Sequence, residues 1–261
     1  MVKDRVLLVT ASSGIGAATI KLALQQGAKV FYTARTEQSC RVFQEELNAS
    51  GLEAAYLAGD LTDPDAAGKL VEGCLAKYGR IDGLFNVAGI SGRRFGDGPA
   101  HECTDEGWTI TLQTNVDTQF RMCREVLKVM LAQDPDEQGL RGCILNMASI
   151  LGIDPEPKYF STIAYAASKG AILSMTRTMA ACYARQGIRV NAIAPGLAIT
   201  KMSERAAQDA EIIEFMKQKQ PLTGRIMEAS EIAGPALFLL SGQSAVITGE
   251  TLITAAGWDL V

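Results

Sequence analysis

The chain has 261 residues, 48% of them hydrophobic, and a formal net charge of −4 at pH 7. That length and composition suit one large α/β domain with a sizeable core rather than two ordinary domains. The slight acidic excess, with no Lys/Arg block, excludes the electrostatic footprint of a nucleic-acid binder or of a protein drawn to anionic membranes.

The start, MVKDRVLLV, has too brief an apolar run between charges for a secretory signal. Residues 5–9 instead read as a buried strand. They run into TASSGIG at 10–16 and then helix-compatible Ala17, Ala18 and Ile20, a turn whose bare backbone suits a phosphate. Further strands are expected at 29–33, 53–58, 83–87, 143–147, 189–193 and 251–254, and helices at 37–49, 65–78, 108–131, 164–185 and 228–240. Residues 134–139 (DPDEQG) form the clearest polar loop. The uncharged stretch 232–249 is interrupted by Gly234, Pro235, Ser241, Gly242, Gln243 and Ser244, which argues against a membrane span. Strand–helix alternation of this kind predicts a doubly wound parallel sheet of about seven strands with helices on both faces. Ligands of such sheets bind beyond the carboxyl ends of the strands.

The candidate chemistry clusters at those ends: TASSGIG at 10–16, GDLTD at 59–63, NVAG at 86–89, NMAS at 146–149 and NAIAPG at 191–196. In YAASK, Tyr165 and Lys169 are four residues apart and so share a helix face. A nearby ammonium lowers a phenol's pKa toward neutrality, and Lys169 is placed to supply one. Tyr159, the neighbouring tyrosine, has Ile163 at the same spacing and no cation. The only histidine is His101, which removes multi-histidine metal sites and leaves one candidate base for Ser-His-Asp chemistry. No metal site is expected. The six cysteines, Cys40, Cys74, Cys103, Cys123, Cys143 and Cys182, lie at least 20 residues apart and read as separate thiols of a reducing compartment, so a cytoplasmic location is expected.

The glycine turn, Asp60, NVAG, Asn115 seven residues after Trp108, the NMAS serine, YxxxK and PGLAIT occur in one order that resembles the short-chain dehydrogenase/reductase family over essentially the whole chain. Any one of these motifs is common; their joint order is specific. The resemblance implies a single Rossmann-like domain over residues 1–261 and an enzyme that moves a hydride between a nicotinamide cofactor and a carbonyl or alcohol. It implies that Tyr165 is the general acid/base and that Ser149 hydrogen-bonds the substrate oxygen. Lys169 would hold the nicotinamide ribose and tune Tyr165, and Asn115 would anchor a water relay to Lys169. The implied dinucleotide contacts are Thr10, Ser12, Ser13, Gly14, Ile15, Gly16, Arg35, Thr36, Asp60, Leu61, Asn86, Ala88, Gly89, Tyr165, Lys169, Pro195, Gly196, Ala198 and Thr200. Within that set Asp60 would meet the adenine, Ala198 the carboxamide through its backbone, and Thr200 the pyrophosphate side. Residues 197–220 would form the substrate lid. Pairing of the helices at 108–131 and 164–185 would give a homodimer or homotetramer.

Three departures from the family pattern are visible. The turn usually reads T-G-x-x-x-G-x-G, and TASSGIG is one residue short and lacks the first glycine. The gap between Ser149 and Tyr165 is longer than usual and holds Pro155 and Pro157, and TAAG at 254–257 stands where VDGG is common. Cofactor preference turns on FYTART. Ala34 stands where an acid would bind a ribose 2′-hydroxyl, and the guanidinium of Arg35 matches a 2′-phosphate, so NADP is expected, with NAD the alternative. Arg93, Arg94 and His101 follow NVAG and are candidates for contact with an anionic substrate, whereas Met122, Met130, Met175 and Met179 read as core. The competing class is a dinucleotide sensor or scaffold that kept the fold and lost turnover.

Overall fold

A computed structural model describes all 261 residues, Met1–Val261. The strands are β1 (Val6–Val9), β2 (Lys29–Tyr32), β3 (Ala55–Tyr56), β4 (Gly83–Asn86), β5 (Gly142–Met147), β6 (Ile188–Pro195), β7 (Ala198–Ile199), β8 (Met227–Glu228) and β9 (Thr251–Thr254). The helices are α1 (Gly14–Gln25), α2 (Glu37–Ala49), α3 (Ala66–Tyr78), α4 (Asp105–Leu112), α5 (Thr118–Ala132), α6 (Ile163–Tyr183), α7 (Glu204–Gln208), α8 (Ala210–Lys219) and α9 (Ala229–Leu240).

Seven strands make one sheet in the order β3-β2-β1-β4-β5-β6-β9, every neighbouring pair parallel. β1, β4, β5 and β6 are buried at every position. They therefore read as apolar runs rather than as alternating patterns, the mark of strands covered on both faces. One face carries a core that includes Ile20 of α1, Phe43 of α2 and Leu237 of α9; the other includes Leu70 of α3 and Val126 and Met130 of α5. Because all strands run the same way, their carboxyl ends and the following loops share one edge. The order reverses at β1, whose neighbours are β2 on one side and β4 on the other. The loops leaving β1 and β4 therefore part in opposite directions and leave a crevice between them.

The expected elements recur, with informative exceptions. The strand expected at 53–58 pairs only over Ala55–Tyr56, as befits a half-buried edge strand. The helix expected at 108–131 is broken. α4 runs through a π turn at Gln113–Asp117 into α5, and Asn115 sits in that turn. Periodicity does not register the one extra residue that a π turn accommodates by local underwinding. A small two-stranded sheet, β7 with β8, lies outside the expectation because each strand has only two residues. Residues 197–220, where a substrate lid is expected, divide into β7, a short 3₁₀ turn, α7 and α8. Met122 and Met130 are in the core, whereas Met175 and Met179 are half-buried on the outer face of α6. In TAAG, Ala256 has φ +52°, a left-handed conformation that strains any side chain, while Ala255 is buried beside Trp258.

Candidate active site

The turn after β1 is held at the switch point by Thr10. Its Oγ1 accepts hydrogen bonds from the backbone N–H of Val87 at 2.8 Å and of Ala88 at 3.2 Å, tying the ends of β1 and β4 together. Ser13 begins α1 with extended backbone and makes no side-chain cap bond, and the first turn of the helix holds no acidic residue. The leading N–H groups of α1 are thus left facing the crevice, with the positive end of the helix dipole behind them. Gly14 has φ +56°, and a methyl on it would lie 3.1 Å from Thr200 Cγ2; a methyl on Gly16 would collide with Ala11 Cβ. The lost first glycine is thereby accommodated: Ala11 occupies its neighbourhood and leans on Gly16. A bare helix N-terminus, a left-handed glycine and the facing Thr200 fit the pyrophosphate of a dinucleotide.

At the end of β5, Ser149 opens a 3₁₀ turn and its Oγ accepts from Leu151 N at 3.2 Å. That turn lies directly on α6, because a methyl on Gly152 would sit 2.9 Å from Lys169 Cβ. Tyr165 and Lys169 occupy successive turns of α6. Lys169 is buried, donates from Nζ to Met147 O at 2.9 Å and lies 5.4 Å from the centre of the Tyr165 ring. Asn115, also buried, accepts from Ile90 N at 2.7 Å and donates to Ile90 O at 3.0 Å and to Ser168 Oγ at 2.9 Å. A methyl on Gly89 would lie 2.9 Å from Asn115 Oδ1 and 3.7 Å from Lys169 Nζ. Gly89, Asn115, Ser149, Tyr165 and Lys169 therefore gather at one place on the sheet edge.

The electrostatics differ from the sequence-based expectation. Burial raises the Tyr165 phenol above its ordinary value, and hydrogen bonding to Ser149 only partly opposes this. Burial also pulls the Lys169 ammonium down to about 7. Desolvation disfavours each charged form and is the leading cause at both groups; Lys169 lies over the ring and donates to Met147 O.

The remaining expected residues divide by placement. Arg35 is exposed beyond β2, and Thr36 caps α2 by accepting from Ser39 N. The carboxyl of Asp60 is held below its usual range by the N–H and hydroxyl of Thr62, with the guanidinium of Arg35 adding to the effect. Leu61 is buried in the core below it. The Asn86 side chain is also in the core, donating to Asn146 Oδ1 at 2.9 Å and to Cys123 Sγ at 3.2 Å, so only its backbone faces the edge loops. β6 ends at Pro195, and a methyl on Gly196 would lie 2.6 Å from Gln220 Oε1. Ala198 O accepts from Ser203 Oγ at 2.6 Å, and Thr200 forms a reciprocal capping box with Ser203. Tyr159 stands apart, packed on Phe215 with its ring centre 5.1 Å away. Arg93 donates to Tyr159 O at 2.8 Å, Arg94 lies over the Phe95 ring, and His101 is exposed beside Glu102. No three His, Cys, Asp or Glu side chains gather in a way that would hold a metal ion. No helix is long and apolar enough to cross a membrane.

Three supporting residues escape sequence reasoning. Gln220 is buried and holds the loop after β6, accepting from Leu197 N at 2.6 Å and donating to Arg225 O at 2.8 Å. Glu156, buried between Pro155 and Pro157, accepts from Lys158 N and Tyr159 N and so orders the long segment before α6. Asp97, flanked by Gly96 and Gly98, reaches the first turn of α6. A lone acid between glycines in a loop was the one legible signal.

The crevice at a parallel-sheet switch point and the Ser-Tyr-Lys cluster beside it define a single-domain oxidoreductase of the dinucleotide-binding class. A family model described as enoyl-(acyl carrier protein) reductase matches residues 9–259. The A-factor type gamma-butyrolactone 1'-reductase (1S-forming) of Streptomyces virginiae is 36% identical, covering 100% of this chain and 98% of that protein. The gluconate 5-dehydrogenase of Gluconobacter oxydans (strain 621H) is 32% identical, covering 97% of this chain and 93% of its own. Among solved structures, a gluconate 5-dehydrogenase from Burkholderia cenocepacia J2315, in complex with NADP and tartrate, superposes with a TM-score of 0.88 at 27% identity, covering 100% of this chain and 97% of that one. The chain belongs to the short-chain dehydrogenase/reductase family.

The buried lysine makes a testable contribution to stability. Its pKa is about 7 folded and about 10.4 in the unfolded chain. Between those values the unfolded state binds more protons, so this group makes stability rise with pH above 7, and its penalty is fully present below 7. Urea unfolding of the cofactor-free protein from pH 6 to 9 is expected to show a steeper rise for wild type than for Lys169→Met.

Proposed function

We propose that this protein is an NADP-dependent carbonyl reductase or alcohol dehydrogenase in which Tyr165 is the general acid/base. The observation that carries the reading is the convergence of Ser149, Tyr165 and Lys169 with Asn115 and Gly89 beside a bare α1 N-terminus. The α1 N–H groups with Gly14, Gly16 and Thr200 would hold the pyrophosphate, Asp60 would face the adenine, and Lys169 Nζ would hold the nicotinamide ribose. When bound, the nicotinamide supplies or accepts the hydride. Ser149 Oγ and the Tyr165 hydroxyl bind the substrate oxygen. In reduction the phenol, kept protonated by its raised pKa, donates its proton to that oxygen. Lys169, titrating near neutrality, returns a proton to the phenolate, along a path anchored at Asn115. The sensor or scaffold reading has no use for three such groups gathered together.

NADP is preferred because Arg35 and Thr36, with no carboxylate at the end of β2, would face the ribose 2′ position. The relatives named above are a gamma-butyrolactone 1'-reductase and a gluconate 5-dehydrogenase, which supports trying small carbonyl compounds first in a substrate screen. A homo-oligomer is proposed through the groove between α5 and α6, where Phe120 is 48% and Leu131 42% exposed beside Met175 and Met179. Cytoplasmic residence and a small-molecule partner rather than nucleic acid complete the reading, in keeping with 25 Lys+Arg against 29 Asp+Glu.

A panel of ketones and aldehydes with NADPH, followed by loss of nicotinamide absorbance, tests the activity. With a substrate in hand, Tyr165→Phe is expected to slow single-turnover hydride transfer by about 100- to 10,000-fold with cofactor affinity little changed. Lys169→Ala should impair both, and Tyr159→Phe should leave the chemical step intact. Unimpaired transfer in Tyr165→Phe would leave only a shared fold. Arg35→Ala should weaken NADPH by roughly 1.5–3 kcal/mol while sparing NADH; equal loss for both cofactors would refute the preference. Light scattering at micromolar concentration should give a dimer or tetramer mass, and a monomer mass alone would count against the α5–α6 interface.

A further inference from the structure

α6 presents its unpaired leading N–H groups at Ile163, Ala164 and Tyr165, and Thr162, in the capping position, makes no side-chain bond to them. Their acceptors come from a distant loop. Asp97 Oδ1 accepts from Ala164 N at 3.0 Å and Oδ2 from Tyr165 N at 3.0 Å, across 67 and 68 residues of sequence. Gly98 O accepts from Ile163 N at 3.0 Å. This is the N-cap arrangement, in which a side-chain oxygen satisfies the second and third helical N–H groups, supplied here from outside the helix.

The loop is shaped around that carboxylate. Asp97 is only 5% exposed. A methyl on Gly92 would lie 2.9 Å from Asp97 Cβ, and one on Gly107 would lie 2.6 Å from Asp97 N. The titratable and charged groups facing Asp97 are Cys103, whose Sγ is 3.8 Å from Oδ1, and Arg93 on the same loop. Two charge-assisted bonds and the positive end of the α6 dipole hold the buried charge. Lys169 is anchored separately, one turn further along, by Met147 O. The two ends of the Tyr-Lys pair thus have different anchors.

We propose that Asp97 is a positioning residue for the reaction at Tyr165: its carboxylate clamps the first turn of α6 to the 92–104 loop and so fixes the phenol against Ser149. The proposal rests on the reading of Tyr165 as general acid/base. Without the clamp two N–H groups lose their acceptors and the first turn frays, carrying the Tyr165 ring away from Ser149. Lys169 and the glycine turn stay in place. The loss therefore falls on the chemical step and not on cofactor binding.

The test uses the full-length protein, NADPH and a carbonyl compound that the wild type reduces. Asp97→Ala is expected to slow single-turnover hydride transfer by about 10- to 100-fold, the scale of an ångström-level misplacement. NADPH affinity should be unchanged, and amide hydrogen exchange at Ala164 and Tyr165 in the cofactor-free protein should speed up. Asp97→Asn keeps the shape and one acceptor and should lose less, and it carries the test if Asp97→Ala does not fold. In a Tyr165→Phe background the Asp97 substitutions should cause no further loss, because their effect passes through the phenol. Hydride transfer at the wild-type rate in both Asp97 variants, with Tyr165→Phe impaired, would overturn the clamp alone. The same fold-loss in both backgrounds would also overturn it, by showing a general disruption. An unimpaired Tyr165→Phe would overturn the acid/base reading on which the clamp depends.

Discussion

The arrangement depends on one buried ammonium. Lys169 is 2% exposed, faces no carboxylate within ion-pairing distance and has a single backbone carbonyl, Met147 O, as its hydrogen-bond acceptor. A cation so placed is expensive, and its pKa of about 7 reflects that. Everything around it is arranged to leave room for it and for groups that could share its protons. Gly89 and Gly152 carry no side chain where one would strike Asn115 or Lys169, and the π turn between α4 and α5 brings the Asn115 side chain to Ile90 and Ser168.

The sheet makes this concentration possible. Parallel strands send every outgoing loop to the same edge, so residues as far apart in sequence as Gly14 and Thr200 come to face each other. Inside the sheet a second polar network steadies the strands beneath the site. Asn86 donates to Asn146, which donates to Thr176 on α6, joining β4, β5 and the helix that carries Tyr165 and Lys169. Such buried amides are favourable only when paired, and they tie the register of the two strands to the position of α6.

The side of the molecule carrying α7 and α8 is organised by apolar contact instead. Ile150, Ala206, Ile212, Met216, Ile226, Ala255 and Trp258 form one buried cluster, with Tyr159, Phe160 and Phe215 packed around it. It joins the turn after Ser149, the long segment before α6, α7, α8 and the C-terminal residues. The segment holding Pro155 and Pro157 therefore packs into this cluster through Tyr159 and Phe160, ordered by Glu156 from within. Ala255 contributes to that cluster where the family's common pattern places a polar residue, and Ala256 carries a left-handed φ where that pattern has glycine.

By itself the sequence determined the layer architecture, the seven sheet strands to within a few residues, the edge on which polar loops gather and the spacing that sets Tyr165 and Lys169 on one helix face. These follow from local periodicity and from the handedness of strand–helix–strand connections, which neighbouring residues encode. The direction of the Tyr165 and Lys169 shifts, the π turn at Asn115, and the roles of Gln220, Glu156 and Asp97 were decided only by the tertiary structure. Desolvation depends on what closes over a group from distant parts of the chain, and a carboxylate 67 residues upstream becomes a helix cap only when folding brings it there. Spacing along a chain specifies which residues can meet within an element; burial and long-range hydrogen bonding specify what they meet across elements.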